Sequence, residues 1–91
     1  MSGRPKVTVE FYGMARQRAG CARTDVTAGT VAEALAAAVR ACPGLGAAVL
    51  PDGGVAKEYL VSVNGQRFVR AGEQELREGD AVLVLGADAG G

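Results

Sequence analysis

The stretch Ala81-Val82-Leu83-Val84-Leu85-Gly86-Ala87-Asp88-Ala89-Gly90-Gly91, AVLVLGADAGG, opens with five apolar residues and ends on a bare diglycine. A strand with apolar residues at every position belongs at the centre of a sheet, where neighbours cover it. The rest of the chain has to supply those neighbours. Lys6 to Tyr12, KVTVEFY, alternates Val7, Val9 and Phe11 with Lys6, Thr8 and Glu10, the period-two pattern of a half-buried strand. Arg23 to Thr27, RTDVT, reads as a short second strand antiparallel to the first. Between them, GMARQRAG is a glycine-bounded connection with room for a helical turn.

Thr30 opens the clearest helix. Thr30 and Glu33 have capping-box spacing, and Val31, Ala34, Leu35, Ala38, Val39 and Cys42 form one apolar stripe. Pro43-Gly44 ends it. Pro51 to Gly54, PDGG, is an exposed turn. In YLVSVNGQRFV, residues 59–69, two β-rich runs flank Asn64-Gly65, the pair a type I′ hairpin prefers because both central residues take positive φ. That turn predicts Val61, Val63 and Phe68 on the core side and Leu60 and Ser62 outside. EQELREGD then leads through Gly79-Asp80 into the last strand.

One helix covers only one face of about five strands. The first strand can pair with the last in parallel through a right-handed crossover. The predicted architecture is an α+β roll, a mixed sheet curled around a single main helix, spanning 1–91 as one domain with a tail over 86–91. Val82 and Val84 then face the helix, and Leu83 and Leu85 lie on the open side with Leu60. Contiguous exposed leucines on a small domain mark a docking surface.

Lys+Arg is 10 and Asp+Glu is 10, so the chain lacks the cationic excess that phosphate binding or a membrane-surface helix needs. It has no apolar run near membrane-spanning length and no signal-peptide pattern, so a cytoplasmic protein is expected. There is no histidine, which removes the usual general base and the commonest metal ligand. Cys21 and Cys42 are too few and too far apart in sequence for a zinc cluster or a disulfide framework, and read as small buried or half-buried thiols. Two cysteines also exclude an iron–sulfur cluster that needs four. Arg16, Arg18, Lys57 and Glu58 read as solvated surface.

Several motifs together resemble the ubiquitin-like sulfur-carrier proteins of the MoaD/ThiS family, closest to the MoaD branch. VTVEFYGMARQRAG is similar to that branch's opening strand and its A-R-x-x-x-G run. TVAEALAAAVRACPGL is similar to its helix and following turn, YLVSVNGQ to its hairpin, and LREGDAVLVLG with the terminal GG to its last strand and diglycine end. The resemblance implies a β-grasp fold and a carrier that is not itself an enzyme, possible as the small subunit of a molybdopterin-synthase-like complex. It implies that Gly91 holds an acyl-adenylate and then a thiocarboxylate, while Gly90 is the slender residue that threads the partner. Leu60, Ser62, Leu83 and Leu85 fall on the partner-docking face, and Asp88 and Ala89 on the tail that enters the partner. No cofactor and no metal are bound by the carrier; ATP is used by a ubiquitin-activating-type adenylyltransferase, and a synthase subunit accepts the sulfur. The acceptor stays open between molybdopterin, thiazole, cysteine and a specialised metabolite. A protein-conjugating modifier and a plain β-grasp interaction module stand as alternatives.

Overall fold

The computed structural model describes residues 3–66 and 68–87. Strand β1 (Lys6–Tyr12) leads into helix α1 (Gly13–Ala19), which is followed by β2 (Arg23–Thr27), α2 (Val31–Ala41), a 3₁₀ turn (Pro43–Leu45), β3 (Tyr59–Val63), β4 (Phe68–Val69) and β5 (Ala81–Gly86). The sheet order is β2-β1-β5-β3-β4. β1 and β5 run parallel and the other pairs are antiparallel. The doubly apolar strand is therefore the central one, and the connection GMARQRAG is a full short helix rather than a single turn. This is the β-grasp roll of ubiquitin-like domains. Among the described residues no helix is long and apolar enough to cross a membrane.

The alternation in β1 buries Val7, Val9 and Phe11 against Val82 and Val84 of β5, Tyr59 and Val61 of β3, and Val31, Ala34, Leu35 and Ala38 of α2. The alanines keep α2 close to the sheet. Tyr59 is buried at 1% exposure, and its hydroxyl donates to the Leu45 carbonyl at 2.6 Å, so the ring fills the core while its polar end is satisfied. Arg18 is not simply solvated: its guanidinium carbon lies 5.8 Å from the centre of the Tyr59 ring.

Thr30 Oγ1 caps α2 by accepting the Glu33 N–H at 3.2 Å. The return bond goes one residue further back than a capping box requires, from Gly29 N–H to Glu33 Oε1 at 2.7 Å. Thr30 faces Glu75 across an antiparallel bridge whose bonds lie on either side, from the Leu76 N–H to the Gly29 carbonyl and from the Val31 N–H to the Gln74 carbonyl, both at 2.9 Å.

Phe68 does not face the core. Asn64 and Gly65 have φ of 57° and 71°, and Gln66 donates its N–H to the Val63 carbonyl at 3.2 Å, which is the expected turn. Yet Ser62 pairs with Phe68 and Val61 with Val69, one residue longer on the β4 side than a strict two-residue hairpin. A one-residue slip exchanges the faces of a strand. Phe68 thus joins the Ser62 side and is 61% exposed.

The turn of this hairpin holds a titratable contact. Asp80 Oδ1 accepts from the Asn64 amide at 3.0 Å and Oδ2 from the Arg77 N–H at 2.8 Å. These two bonds hold the Asp80 carboxyl below its usual value of 3.8, the side-chain bond from Asn64 being the larger cause. A folded pKa below the unfolded one contributes stability above the unfolded value, lost as pH falls through the folded one. Stability of the wild type should therefore fall below about pH 4. Asp80→Asn should be less stable than wild type at neutral pH and should lose less on acidification, as denaturant midpoints measured against pH would show.

Candidate functional site

The two sheet faces are chemically different. One is sealed by α2. On the other, cross-strand registry assembles an apolar patch around β5. Leu85 lies between Tyr12 of β1 and Leu60 of β3, and Leu83 between Glu10 and Ser62, with Phe68 beyond Ser62. Leu60, Leu83 and Leu85 are half-buried by one another, whereas Tyr12 is 43% exposed. Adjacent leucines shield each other's flanks and leave their ends to the outside.

Three of the four predicted docking residues thus share one outward surface. Ser62 lies on the same face but is only 5% exposed, so it spaces the larger residues rather than forming the contact surface. Two members were missed in the sequence. Phe68 was hidden by the hairpin register. Tyr12 was legible, because Lys6, Thr8, Glu10 and Tyr12 share the outward side of β1 and a parallel partner places Tyr12 beside Leu85.

The rim is polar. The Tyr12 hydroxyl donates to Glu10 Oε1 at 2.5 Å. That hydrogen bond, then burial, then the Glu10 charge raise the Tyr12 phenol above its ordinary 10.0. Further toward β2, Thr8 donates to Asp25 Oδ1 at 3.0 Å. The sheet face therefore passes from apolar at β5 and β3 to hydrogen-bonded and charged at β2.

The tail leaves from the apolar side. Gly86 is still paired with Tyr59, and the Ala87 N–H donates to the Glu58 carbonyl at 2.8 Å. Strand pairing thus extends into the segment read as tail. Asp88, Ala89, Gly90 and Gly91 lie outside the described residues. Because β1 and β5 are parallel, the exit point is beside the end of β1 and the start of α1, where Tyr12 and Met14 are both exposed.

Among the described residues no group of three or more His, Cys, Asp or Glu is placed to hold a metal ion. A groove of about 1000 Å³ lies at the opposite end of β1, lined by Lys6, Thr8, Asp25, Arg40 and Glu78 among others. It mixes both charge signs and lies at the far end of the sheet from Gly86 and Ala87. Cys21 is half-buried and Cys42 buried, both as free thiols, as expected; although far apart in sequence, their sulfurs lie 3.4 Å apart.

No protein-family model and no curated protein sequence matches the chain. Solved structures do. SAMP1, a small archaeal modifier protein of Haloferax volcanii, superposes with a TM-score of 0.78 at 24% identity over 94% of this chain and 99% of its own. The putative molybdopterin converting factor subunit 1 of Pyrococcus furiosus gives 0.71 at 24% identity, over 90% of this chain and 97% of its own. A chain of the BexX/CysO complex of Amycolatopsis orientalis gives 0.75 at 27% identity, over 93% of this chain and 99% of its own. The structural neighbours are ubiquitin-like proteins of the MoaD/ThiS type, the type the sequence motifs resemble.

Proposed function

We propose that this chain is a sulfur carrier whose reactive group is the carboxylate of Gly91. The observation that carries the reading is the continuity of one strand. β5 presents Leu83 and Leu85 on the open face, its pairing extends to Gly86, and in sequence the diglycine follows four residues after Gly86. A protein that grips the patch has the chain end within reach.

The chemistry follows from that arrangement. A carboxylate is a poor electrophile. A partner adenylyltransferase uses ATP to join it to AMP, giving a mixed anhydride, with pyrophosphate leaving. A sulfur donor attacks the carbonyl and AMP leaves, so the terminal oxygen is replaced by sulfur. In the first step the Gly91 carboxylate oxygen attacks the α-phosphorus of ATP; beyond that carboxylate the carrier contributes no acid, base or nucleophile. Its part is to dock through Leu60, Leu83, Leu85, Tyr12 and Phe68, and to offer a tail narrow enough to thread a slot. Gly90 and Gly91 have no Cβ to obstruct that passage. The sulfur then passes to a synthase subunit. The P. furiosus neighbour is a converting-factor subunit and the A. orientalis neighbour is part of a complex, which supports a role alongside a larger partner.

The test is intact-mass analysis after incubation with candidate adenylyltransferases, ATP and a sulfide source. The expected product is heavier by the difference between one sulfur and one oxygen. A chain lacking Gly90 and Gly91 should lose at least about 100-fold in activation rate, since displacement of the reacting atom costs that much. An unchanged mass with every such enzyme would count against the carrier reading. The H. volcanii neighbour is a modifier protein, which favours acyl transfer to a lysine as the second reading. Isopeptide-linked adducts in host extract, in place of the thiocarboxylate, would select it.

A further inference from the structure

The contact between Cys21 and Cys42 serves neither docking nor the tail. Cys21 lies in the link between α1 and β2, and Cys42 closes α2; both thiols are free and their Sγ atoms are 3.4 Å apart. Backbone bonds fix both sides. Next to Cys21, the Gly20 N–H is donated to the Arg16 carbonyl at 3.0 Å, and the Ala22 carbonyl accepts from Phe11 N–H at 2.9 Å. Cys42 donates its N–H to the Ala38 carbonyl at 2.7 Å and accepts from Leu45 N–H at 3.0 Å. The two segments meet because Gly44 packs backbone to backbone on α1. A Cβ there would stand 2.1 Å from the Arg18 carbonyl oxygen.

The pair is also asymmetric. Cys42 is 7% exposed, and burial, followed by the bond to Cys21, pushes its thiol pKa up. Cys21 is half-buried and borders an open depression of about 460 Å³ with Gly13, Arg16, Gln17, Gly20 and Ala22. One sulfur is thus within reach of a small molecule, and the other stands behind it.

We propose that Cys21 and Cys42 form a dithiol–disulfide couple that exchanges with low-molecular-weight disulfides entering through this depression. The Cys21 thiolate attacks one sulfur of the small disulfide, forming a mixed disulfide and releasing one small thiol. The Cys42 thiol gives up its proton and attacks Cys21 Sγ, and the second small thiol leaves. The protein loses two protons and two electrons; the small disulfide gains them. Closure brings the sulfurs from 3.4 Å to a bond of about 2.05 Å, a movement within side-chain rotation. The bridge staples the end of α1 to the end of α2 and restrains the unfolded chain over the enclosed loop.

The experiment equilibrates the full chain in mixtures of reduced and oxidised glutathione, quenches with acid, alkylates free thiols and weighs the intact protein. The wild type should lose two hydrogens, retain no glutathione and accept no alkyl groups in the oxidised mixture. Cys42→Ser should stop with one glutathione attached. The oxidised wild type should melt about 10 °C higher than the reduced form, a shift Cys21→Ser does not show. The proposal is overturned if the wild type keeps its glutathione adduct as Cys42→Ser does. It is equally overturned if both cysteines still alkylate in oxidising buffer, or if the oxidised product is a disulfide-linked dimer.

Discussion

Gly72→Ala should be among the most damaging single-methyl additions this fold can receive. A Cβ at Gly72 would stand 1.6 Å from the Gly53 carbonyl oxygen and 2.8 Å from Cβ of Ala32. The first neighbour is backbone and cannot rotate away. Nor can the segments part easily. The Gly72 carbonyl accepts the Ala32 N–H at 2.9 Å, the Arg70 carbonyl accepts the Val55 N–H at 3.0 Å, and the Gln74 carbonyl accepts the Val31 N–H at 2.9 Å. Making room for the methyl strains this junction of the first turn of α2 with two loops. Overpacking alone costs about 1–3 kcal/mol, and one lost buried hydrogen bond adds about 1 kcal/mol. A total near 3 kcal/mol lowers the melting temperature of a domain this size by about 15 °C. Thermal and denaturant unfolding of Gly72→Ala should show that loss, with Gly3→Ala as reference because nothing lies within 4 Å of its Cβ position. A loss under about 1 kcal/mol would mean the loops separate freely, contrary to this packing.

Local chemistry made much of this molecule legible before its structure. The β1 alternation, the Thr30 cap and the Asn64-Gly65 turn each express a short-range rule, and each stands where the sequence placed it. The central β5 was legible too, because a strand apolar on both sides has few other places to go. The misreadings share a cause of longer range. Phe68 was assigned to the core by counting from the turn, and one additional residue in the β4 register reversed its face. The Glu33 N–H found Thr30 as spacing implied, but its carboxylate returned to the Gly29 N–H, in a segment that Leu76 and Gln74, more than forty positions away, pin on both sides of Thr30. The contact of Cys21 with Cys42 depends on Gly44 lying against the Arg18 backbone, and no pattern within either segment announces it. The tail boundary moved because Ala87 finds its acceptor in Glu58, on the approach to another strand. For the candidate site, parity along β5 and β3 gave the leucines, while the aromatic members required the pairing of neighbouring strands.

If the open face is the grip and the tail is the reactive end, damage to each should appear in a different kinetic constant. Leu85 is the position to test, since Tyr12 and Leu60 flank it and it is the last large side chain before the tail. Leu85→Asp places a charge at the centre of the patch, where a partner must strip its water without providing a counterion. Truncation of a central apolar anchor typically costs 2–4 kcal/mol, or about 30- to 1000-fold in affinity. The expected result is a KM for the cognate adenylyltransferase raised about 100-fold, with kcat nearly unchanged, because the tail reaches the same transition state once docked. Deletion of Gly90-Gly91 should do the reverse and remove kcat. Thr27→Asp, on β2 at the polar edge of the sheet, is the reference and should leave both constants alone. Half-burial means Leu85→Asp also costs some stability, so the comparison is made well below its melting temperature, with secondary structure checked by circular dichroism. A folded Leu85→Asp protein with wild-type KM would remove the open face from the docking step. The tail would then have to be recognised by its own few residues.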